Sequence, residues 1–381
     1  MQLGLSESLS ALVARRFVAA KEGNHLVFSH THLSIVTAAG IPYQVRYCPA
    51  LAKKPTNLKP EPPKGPKPDP FENPSPELLL AQFPAEKPSH ALVLNKFPVI
   101  PNHFILTTTE WREQTDLLEK VDLEATYECL RSWGTDNTNI TTKPNGTGTD
   151  KPRLFAFFNS GEDSGASQPH RHLQFLPVEA MRSSGAEGWD PLIELLAAQN
   201  QSRPESTPRR SSATSTSVSK STSNATIASP AFQYHAHLPF AHYALPLPAN
   251  PSSETLHAIY LSLYRAAALG TMNRDPTKEK IELPSHGPAA ISYNFAMTLD
   301  TMMIAPRSSE TANVPVDLEA AADTADPGVV SLNGTILAGT LMVKAEAEWD
   351  ALRFKPDNLI HALQAVGYKR VDSHRSGGSL L

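Results

Sequence analysis

The alternation of apolar and polar side chains divides the chain into amphipathic helices and short extended segments. Apolar residues recur every three or four positions in five stretches, which predicts helices at 1–23, 111–133, 253–269, 346–354 and 356–366. Shorter stretches have the pattern of extended chain: 25–30, 33–37, 78–83, 90–94, 104–108, 154–158, 168–177, 237–247, 291–297, 302–305, 330–339 and 341–343. Because strands followed by helices recur in two halves, we predict an α+β fold with an antiparallel sheet flanked by helices.

Three polar stretches interrupt this pattern. Residues 53–76 hold many of the chain's 34 prolines and several lysines, which predicts an extended loop. Residues 134–153 are rich in Thr, Asn, Gly and Lys, and residues 199–229 consist mainly of Ser and Thr. Neither stretch has enough apolar surface to order itself. The expected division is therefore an N-terminal half at 1–198, a flexible linker at 199–230 and a C-terminal half at 231–381.

Composition and charge exclude several classes of protein. The 381 residues suffice for two modest domains, and a net charge of −4 gives no general attraction to nucleic acid or anionic membranes. No apolar run approaches the ~20 residues that span a bilayer. Cys48 and Cys129 provide neither a disulfide framework nor a CxxC zinc site, so we expect a reducing compartment. The expected location is the cytoplasm, and also the nucleus; residues 9–21 fit a surface helix better than a transit peptide.

The segment 168–177 carries the most informative chemistry. In a strand, its alternation places His170, His172 and Gln174 on one face, and the apolar Leu173 and Phe175 on the other. A neutral imidazole is a competent nucleophile toward phosphorus or acyl carbon near pH 7. The alternative is a half-buried strand whose histidines are solvated or bind a metal. A zinc site would draw on these histidines and on His103, His235 and His237.

The residues before this segment favour a phosphate site. The apolar run 154–158 ends in Asn159-Ser160-Gly161, and a loop of small residues, 162–168, leads to the histidines. Small residues let backbone N–H groups approach phosphate oxygens, and Ser and Gln side chains add donors. A strand, a small polar loop and an imidazole strand together predict a phosphate cradle beside a nucleophile.

Four segments carry a resemblance to a known family. They are Tyr43–Pro55, Val93–Phe104, Asn159–Gln174 (with its Asn-Ser-Gly, Gly-Ala-Ser-Gln and His-Arg-His-Leu-Gln motifs) and Ser292–Ser308. Together they resemble the fungal diadenosine tetraphosphate (Ap4A) phosphorylases, or ATP adenylyltransferases, of the histidine-triad-like superfamily. The resemblance covers roughly residues 40–370 and implies a duplicated histidine-triad-like fold. Since the histidine motif is not repeated in the second half, we expect one active site.

The resemblance implies a role for each residue of the motif. His172 would attack the α-phosphorus and form adenylyl-histidine, releasing ATP; phosphate would then displace AMP to give ADP. His170 would orient its neighbour through its backbone carbonyl, or donate to a phosphate. Gln174 occupies the position where hydrolases of the superfamily carry a third histidine. An amide is neither an acid nor a base, which favours transfer to phosphate over transfer to water.

Substrate contacts are implied at further positions. Lys53 or Lys54 would make a point-charge contact to the polyphosphate, and Asn95 and Lys96 would contact the nucleotide. The residues expected around the α-phosphate are Asn159, Gly165, Ala166, Ser167 and Gln168. The candidates for the distal nucleotide or the phosphate co-substrate are Asn294, Thr298 and Arg307. Residues 299–302 depart from the more basic and aromatic pattern of the family, which puts the second adenosine pocket in question.

The expected partners are Ap4A, ATP, ADP and inorganic phosphate, with Mg²⁺ accompanying the polyphosphate and no protein metal site. We expect no nucleic acid, no membrane and a monomer. A second interpretation is adenylylsulfate phosphorolysis, or nucleotidyl transfer of the hexose uridylyltransferase type. Sugar-transferring relatives typically carry proline where Arg171 stands here. A third is a nucleotide-binding protein without turnover, which the intact histidine motif argues against.

Overall fold

The computed structural model describes residues 2–52, 68–134, 151–182, 186, 188–201, 232–317 and 326–371. Its strands, in chain order, are β1 (His32–Ala38), β2 (Ile41–Tyr47), β3 (Leu79–Phe83), β4 (His90–Leu94), β5 (Phe104–Thr108), β6 (Leu154–Ser160), β7 (His172–Pro177), β8 (Tyr243–Pro246), β9 (Tyr293–Met297), β10 (Thr301–Pro306), β11 (Thr311–Asn313), β12 (Val329–Ser331) and β13 (Thr340–Val343). Its helices are α1 (Leu9–Glu22), α2 (Pro49–Ala52), α3 (Lys120–Trp133), α4 (Val178–Met181), α5 (Leu192–Gln201), α6 (Ser253–Thr271), α7 (Glu346–Phe354) and α8 (Pro356–Val366). Two 3₁₀ turns lie at Glu162–Ser164 and Gly334–Ala338.

A central eight-stranded sheet joins the two halves of the chain. Its order is β3-β4-β5-β7-β6-β9-β10-β8, and all its neighbouring strands are antiparallel. Strands from the first half meet those from the second where β6 pairs with β9. The prediction of an α+β fold built on an antiparallel sheet is confirmed.

A smaller sheet also mixes the two halves. Strand β2 pairs antiparallel with β1 and parallel with β13, which comes from the end of the chain. The two halves therefore share strands in both of these sheets.

The central sheet is covered on both faces, and β6 shows why. Its residues alternate between two cores, with Ala156 and Phe158 in one and Phe155 and Phe157 in the other. The first core includes apolar side chains of α1, α3 and α6, and the second includes those of α5 and α8. All seven residues of β6 are buried, as expected for a strand covered on both faces. Because β6 is held in place on both faces, the loop that follows it starts from a fixed position at the end of this central strand.

Several predicted bounds agree with the structure and others are wrong. The helices at 346–354 and 356–366 and the hairpin of β9 and β10 lie where predicted. The strand predicted at 237–247 is limited to β8. The helix predicted at 111–133 begins only at Lys120, because the residues before it bond to other segments. The backbone N–H of Gln114 donates to the carbonyl of Pro169 at 2.7 Å, for example.

Some predictions fall outside the described residues. They concern Lys53 and Lys54, most of the predicted loop 53–76, nearly all of the insert 134–153 and the linker 199–230. Within the described part of the chain, no helix combines the length and apolarity needed to cross a membrane.

Candidate active site

The histidine segment enters the sheet at His172, the first residue of β7. The expectation that His170 lies in the same strand is wrong, because His170 makes only an isolated bridge to Glu113 before the strand begins. Gln114 fixes the junction. Its Oε1 accepts the backbone N–H of His172 at 2.7 Å, and its Nε2 donates to the carbonyl of Asn159 at 2.7 Å. A side chain from the loop between β5 and α3 thus ties β7 to the end of β6.

His172 has the orientation that a nucleophile requires. Its Nδ1 lies 2.9 Å from the carbonyl oxygen of His170, which can only accept a hydrogen bond. The proton of the neutral ring therefore sits on Nδ1, and Nε2 keeps its lone pair. Burial lowers the pKa of His172 to about 4, so the ring is neutral at pH 7. This is the backbone contact that the sequence analysis expects of His170.

The ring of His170 is held by other protein groups. Its Nδ1 lies 2.6 Å from Oδ2 of Asp69, and its Nε2 lies 3.0 Å from the hydroxyl of Thr108 and 3.2 Å from the carbonyl of Glu110. The residue as a whole is 1% exposed. Both nitrogens have protein partners, so the arrangement does not direct either one to a phosphate.

His172 opens onto a cavity of about 570 Å³, a volume typical of sites for small organic ligands. The predicted site residues that line it are Asn95, Lys96, Gly165, Ser167, Gln168, His172 and Gln174. Its apolar lining includes Phe71, Val93, Phe97 and Ile105. Ser331, Asn333 and Thr335 of the C-terminal half add polar groups. The two halves therefore build one site.

The loop between β6 and β7 is shaped by glycine. Gly165 has φ +76°, a conformation that glycine adopts without strain, and an added Cβ would lie 2.8 Å from the carbonyl oxygen of Leu332. This approach brings the loop against the C-terminal half and places Ser167 and Gln168 on the cavity. Ala166 is exposed and does not line it.

Asn159, Asn294 and Arg307 form a buried chain outside the cavity lining. Nδ2 of Asn294 donates to Oδ1 of Asn159 at 2.9 Å, and the guanidinium of Arg307 donates to Oδ1 of Asn294. Arg307 also donates to four backbone carbonyls, those of Ser309, Glu310, Leu332 and Val366. These side chains have protein partners, so the nucleotide or phosphate contacts suggested for them stay predictions.

Thr298 lies away from these residues. It follows the end of β9, in the turn to β10, where its backbone N–H donates to the carbonyl of Thr301. Asn294 is near the other end of β9, roughly 13 Å along the strand at about 3.3 Å per residue. The structure does not bring Thr298 together with the rest of the predicted site.

His103 and Asp69 are site residues that the sequence analysis did not assign to catalysis. His103 precedes β5, lines the cavity and is 6% exposed. The sequence shows that His103 borders a predicted strand. It does not show that this strand, β5, pairs with β7 and so brings His103 to the site. No sequence signal marks Asp69, which is 101 positions from His170.

No group of three or more His, Cys, Asp or Glu residues with metal-binding geometry occurs among the described residues. His235 and His237 contact each other, with ring centroids 5.6 Å apart, and neither lines the cavity. The described part of the chain therefore offers no zinc site of the kind considered from the sequence.

Relatives of known identity match nearly the whole chain. Diadenosine 5',5'''-P1,P4-tetraphosphate phosphorylase 2 of Saccharomyces cerevisiae is 27% identical over 376 residues, covering 96% of both chains. Protein APA1 of the same yeast is 24% identical over 387 residues, covering 98% of both. The crystal structure of yeast Ap4A phosphorylase Apa2 superposes with a TM-score of 0.67 and 25% identity, covering 96% of this chain and 99% of that one. Its complex with Ap4A gives the same TM-score at 24% identity and supports the same fold.

Two family models match in succession. The Ap4A phosphorylase N-terminal domain matches residues 3–136 and 149–196, and the ATP adenylyltransferase C-terminal domain matches residues 236–369. Together they cover most of the chain, including every described residue around the cavity. On these matches, and on the fold shared with the yeast enzyme, the chain belongs to the Ap4A phosphorylase family.

Proposed function

We propose that this protein catalyses the reversible phosphorolysis of Ap4A to ATP and ADP. The observation that carries the proposal is the contact between Nδ1 of His172 and the carbonyl of His170, because it leaves the Nε2 lone pair for attack. The yeast relative is named a diadenosine tetraphosphate phosphorylase, and the family models are those of Ap4A phosphorylase and ATP adenylyltransferase.

In the first step, Nε2 of His172 attacks the α-phosphorus of one adenylyl group. A phosphorus–nitrogen bond forms, the bond to the bridging oxygen breaks, and ATP leaves with that oxygen. An uncharged imidazole approaches this anionic group without the repulsion that a carboxylate would meet. The His170 carbonyl stabilises the positive charge that develops on the ring, since it accepts a hydrogen bond from Nδ1–H.

In the second step, an oxygen of inorganic phosphate attacks the same phosphorus. The phosphorus–nitrogen bond breaks, its electron pair returns to Nε2, and ADP is released. The balance is Ap4A plus phosphate to ATP plus ADP. Two displacements at one phosphorus retain its configuration overall, and the kinetics should be ping-pong.

The cavity has groups suited to each part of the substrate. The apolar lining that includes Phe71, Val93 and Ile105 suits an adenine ring, and Ser167 and Gln168 offer donors for phosphoryl oxygens. No carboxylate occurs among the described residues that line the cavity. We expect the polyphosphate to enter as its Mg²⁺ complex, with the metal held by the substrate's own oxygens. The monomeric state and the cytoplasmic or nuclear location stay predictions.

Product analysis tests the proposed reaction. With Ap4A, Mg²⁺ and phosphate, the protein should release equal amounts of ATP and ADP, and turnover should stop when phosphate is omitted. Substitution of His172→Ala should reduce the rate by at least about 10⁴-fold, because removal of a nucleophile abolishes the covalent route. Release of AMP with ATP at the full rate without phosphate would identify a hydrolase and contradict the proposal.

A further inference from the structure

His103 is a buried histidine whose Nε2 has no use in the reaction as described. The side chain is 6% exposed, lines the cavity and precedes β5. Its Nε2 has no hydrogen-bond partner among the described residues. A buried polar atom without a partner is costly, so its retention calls for a physical explanation.

The tautomer of His103 follows from its contact with Asn95. The backbone N–H of Phe97 donates to Oδ1 of Asn95 at 2.9 Å, which fixes the orientation of that amide. The NH₂ group of Asn95 then faces Nδ1 of His103 at 2.9 Å and donates to it. Nδ1 is therefore an acceptor, and the proton of the neutral ring sits on Nε2.

The ring stays neutral at pH 7. Burial is the main cause that lowers the pKa of His103 to about 4; nearby Gln174 raises it and His172 lowers it. His103 is therefore a hydrogen-bond donor through Nε2 and not a general acid. His103 and Gln174 line the same cavity, although Gln174 does not reach Nε2 of His103 in hydrogen-bond geometry.

The strand register explains this proximity. Ile105 of β5 lies directly opposite Gln174 of β7, and directly opposed residues share a face of the sheet. His103 is two residues before Ile105, so it is a diagonal neighbour of Gln174 at roughly 7–8 Å between Cα atoms. His172 lies opposite Thr107 and is farther along the pair. Gln174 thus stands between His103 and the nucleophile.

We propose that His103 is a positioning residue that orients the Gln174 amide. With substrate bound, Nε2–H of His103 donates to Oε1 of Gln174, which turns the NH₂ group of Gln174 toward the phosphoryl group at His172. The chain of donors runs from the Phe97 backbone through Asn95, His103 and Gln174 to a phosphoryl oxygen. With the amide reversed, Gln174 would present an oxygen to that anion and repel it. The inference rests on the proposed function, because it assigns the task of Gln174 in that reaction.

A double-mutant cycle separates this role from direct substrate binding. We expect His103→Ala and Gln174→Ala each to slow adenylylation of His172 by about 10- to 100-fold in a single turnover with Ap4A. If His103 acts through Gln174, adding His103→Ala to Gln174→Ala should slow the reaction by less than about 2-fold more. Multiplicative effects would show that His103 acts on the substrate directly and would overturn the proposal.

Three substitutions test the tautomer. His103→Gln can present an NH₂ donor near the Nε2 position and should recover part of the lost rate, whereas His103→Asn places its amide near the Nδ1 position and should not. Asn95→Asp keeps the side-chain size but offers only acceptors, so it should move the His103 proton to Nδ1. Its adenylylation rate at pH 8 should fall as far as that of His103→Ala. A full rate in Asn95→Asp, with a correctly folded protein, would contradict the proposed relay.

Nitrogen NMR gives a readout that does not depend on turnover. In protein labelled with ¹⁵N-histidine, His103 should be the Nε2–H tautomer, and Asn95→Asp should convert it to Nδ1–H. In protein labelled with ¹⁵N-glutamine, AMP should shift the Gln174 amide signal in the native chain but not in His103→Ala. If the native chain forms no adduct with Ap4A while these signals behave as expected, the proposed reaction is wrong and the relay stands. The Nδ1–H tautomer in the native chain would overturn the relay itself.

Discussion

At the scale of single residues, the reactivity of His172 comes from its surroundings. The carbonyl of His170 fixes its tautomer, and burial lowers its pKa to about 4, against an ordinary value near 6.5. The family resemblance implied that His172 is the nucleophile and that the backbone carbonyl of His170 orients it, and the structure contains that contact. The sequence could not predict Asp69 or the relay through His103, because these contacts depend on strand pairing and on a loop that returns over the site.

The low pKa of His172 predicts an unusual acid limit for the first half-reaction. The neutral ring is the nucleophile, so kcat/KM for Ap4A should be nearly constant from pH 8 to about 5. It should fall only as the pH drops through about 4, where the ring becomes protonated. The internal phosphates of Ap4A lack a secondary ionisation that could itself change kcat/KM in this pH range. Initial rates from pH 8 to pH 3.5 would measure this pH dependence, with circular dichroism to confirm that the protein stays folded. A fall in kcat/KM centred near pH 6.5 would contradict the argument that burial lowers the pKa of His172.

Asp69 links the two histidines to the cavity wall. Its Oδ2 contacts Nδ1 of His170, and its Oδ1 accepts the backbone N–H of Phe71, whose ring centroid lies 5.2 Å from that of His172. Asp69→Ala should release both contacts and slow adenylylation by about 10- to 100-fold. Single-turnover rates would measure the effect, with exposed Glu72→Ala as the matched control. An unchanged rate in Asp69→Ala would remove Asp69 from the site.

At the scale of elements, β7 is anchored to α3 by buried charge. Arg171, between the two histidines, donates to Oδ2 of Asp122 at 2.8 Å, and His90 contacts Oδ1 of the same carboxylate at 3.0 Å. The three side chains are about 1% exposed. The contact of Arg171 with Asp122 explains why α3 begins only at Lys120. Asp122, in the first turn of α3, must face Arg171, and the residues before the helix instead bond to the histidine segment. The helical periodicity of 111–133 carried no sign of this requirement.

Removal of one charge from this group should loosen β7. Arg171→Met leaves the buried Asp122 carboxylate with His90 and the Glu119 backbone N–H but without its guanidinium partner, and loss of one partner from a buried pair costs about 3–5 kcal/mol. Urea unfolding should show this loss, and the adenylylation rate should fall with it. Exposed Arg112→Met is the matched control, and the pair Arg171→Met with Asp122→Leu should recover much of the stability. Equal stability of Arg171→Met and the native chain would show that the ion pair does not hold the strand.

At the scale of the whole molecule, the two halves form one folded unit around one site. The sheet is continuous from β3 to β8, and the cavity takes polar groups from both halves. Periodicity predicted the α+β class and most elements, and the family resemblance indicated some of the residues that line the cavity, such as Lys96, His172 and Gln174. Neither identified how the halves share strands, because pairing partners such as β2 and β13 are almost 300 residues apart. Arg307 makes contacts of this long-range kind, since it donates to the carbonyls of Leu332 and Val366.

Variants of Arg307 test whether this residue of the family-like segment Ser292–Ser308 binds the substrate or stabilises the fold. Its guanidinium donates to the carbonyls of Leu332 and Val366 and to Asn294, so Arg307→Met should leave buried acceptors unpaired at about 1–3 kcal/mol each. Urea unfolding should show a loss of several kcal/mol, and Arg307→Lys should lose less. The KM for phosphate in the folded variant should change little. A raised KM for phosphate with unchanged stability would instead support the ligand contact suggested by the sequence.

The central claim is that His172 carries the adenylyl group between the two substrates. The most direct measurement is the intact mass of the protein mixed with Ap4A and Mg²⁺ in the absence of phosphate, followed by peptide mapping. We predict one acid-labile AMP adduct on His172, absent from His172→Ala and discharged as ADP when phosphate is added. An adduct on another residue, or ADP formation at the native rate with no adduct at any time point, would contradict the account.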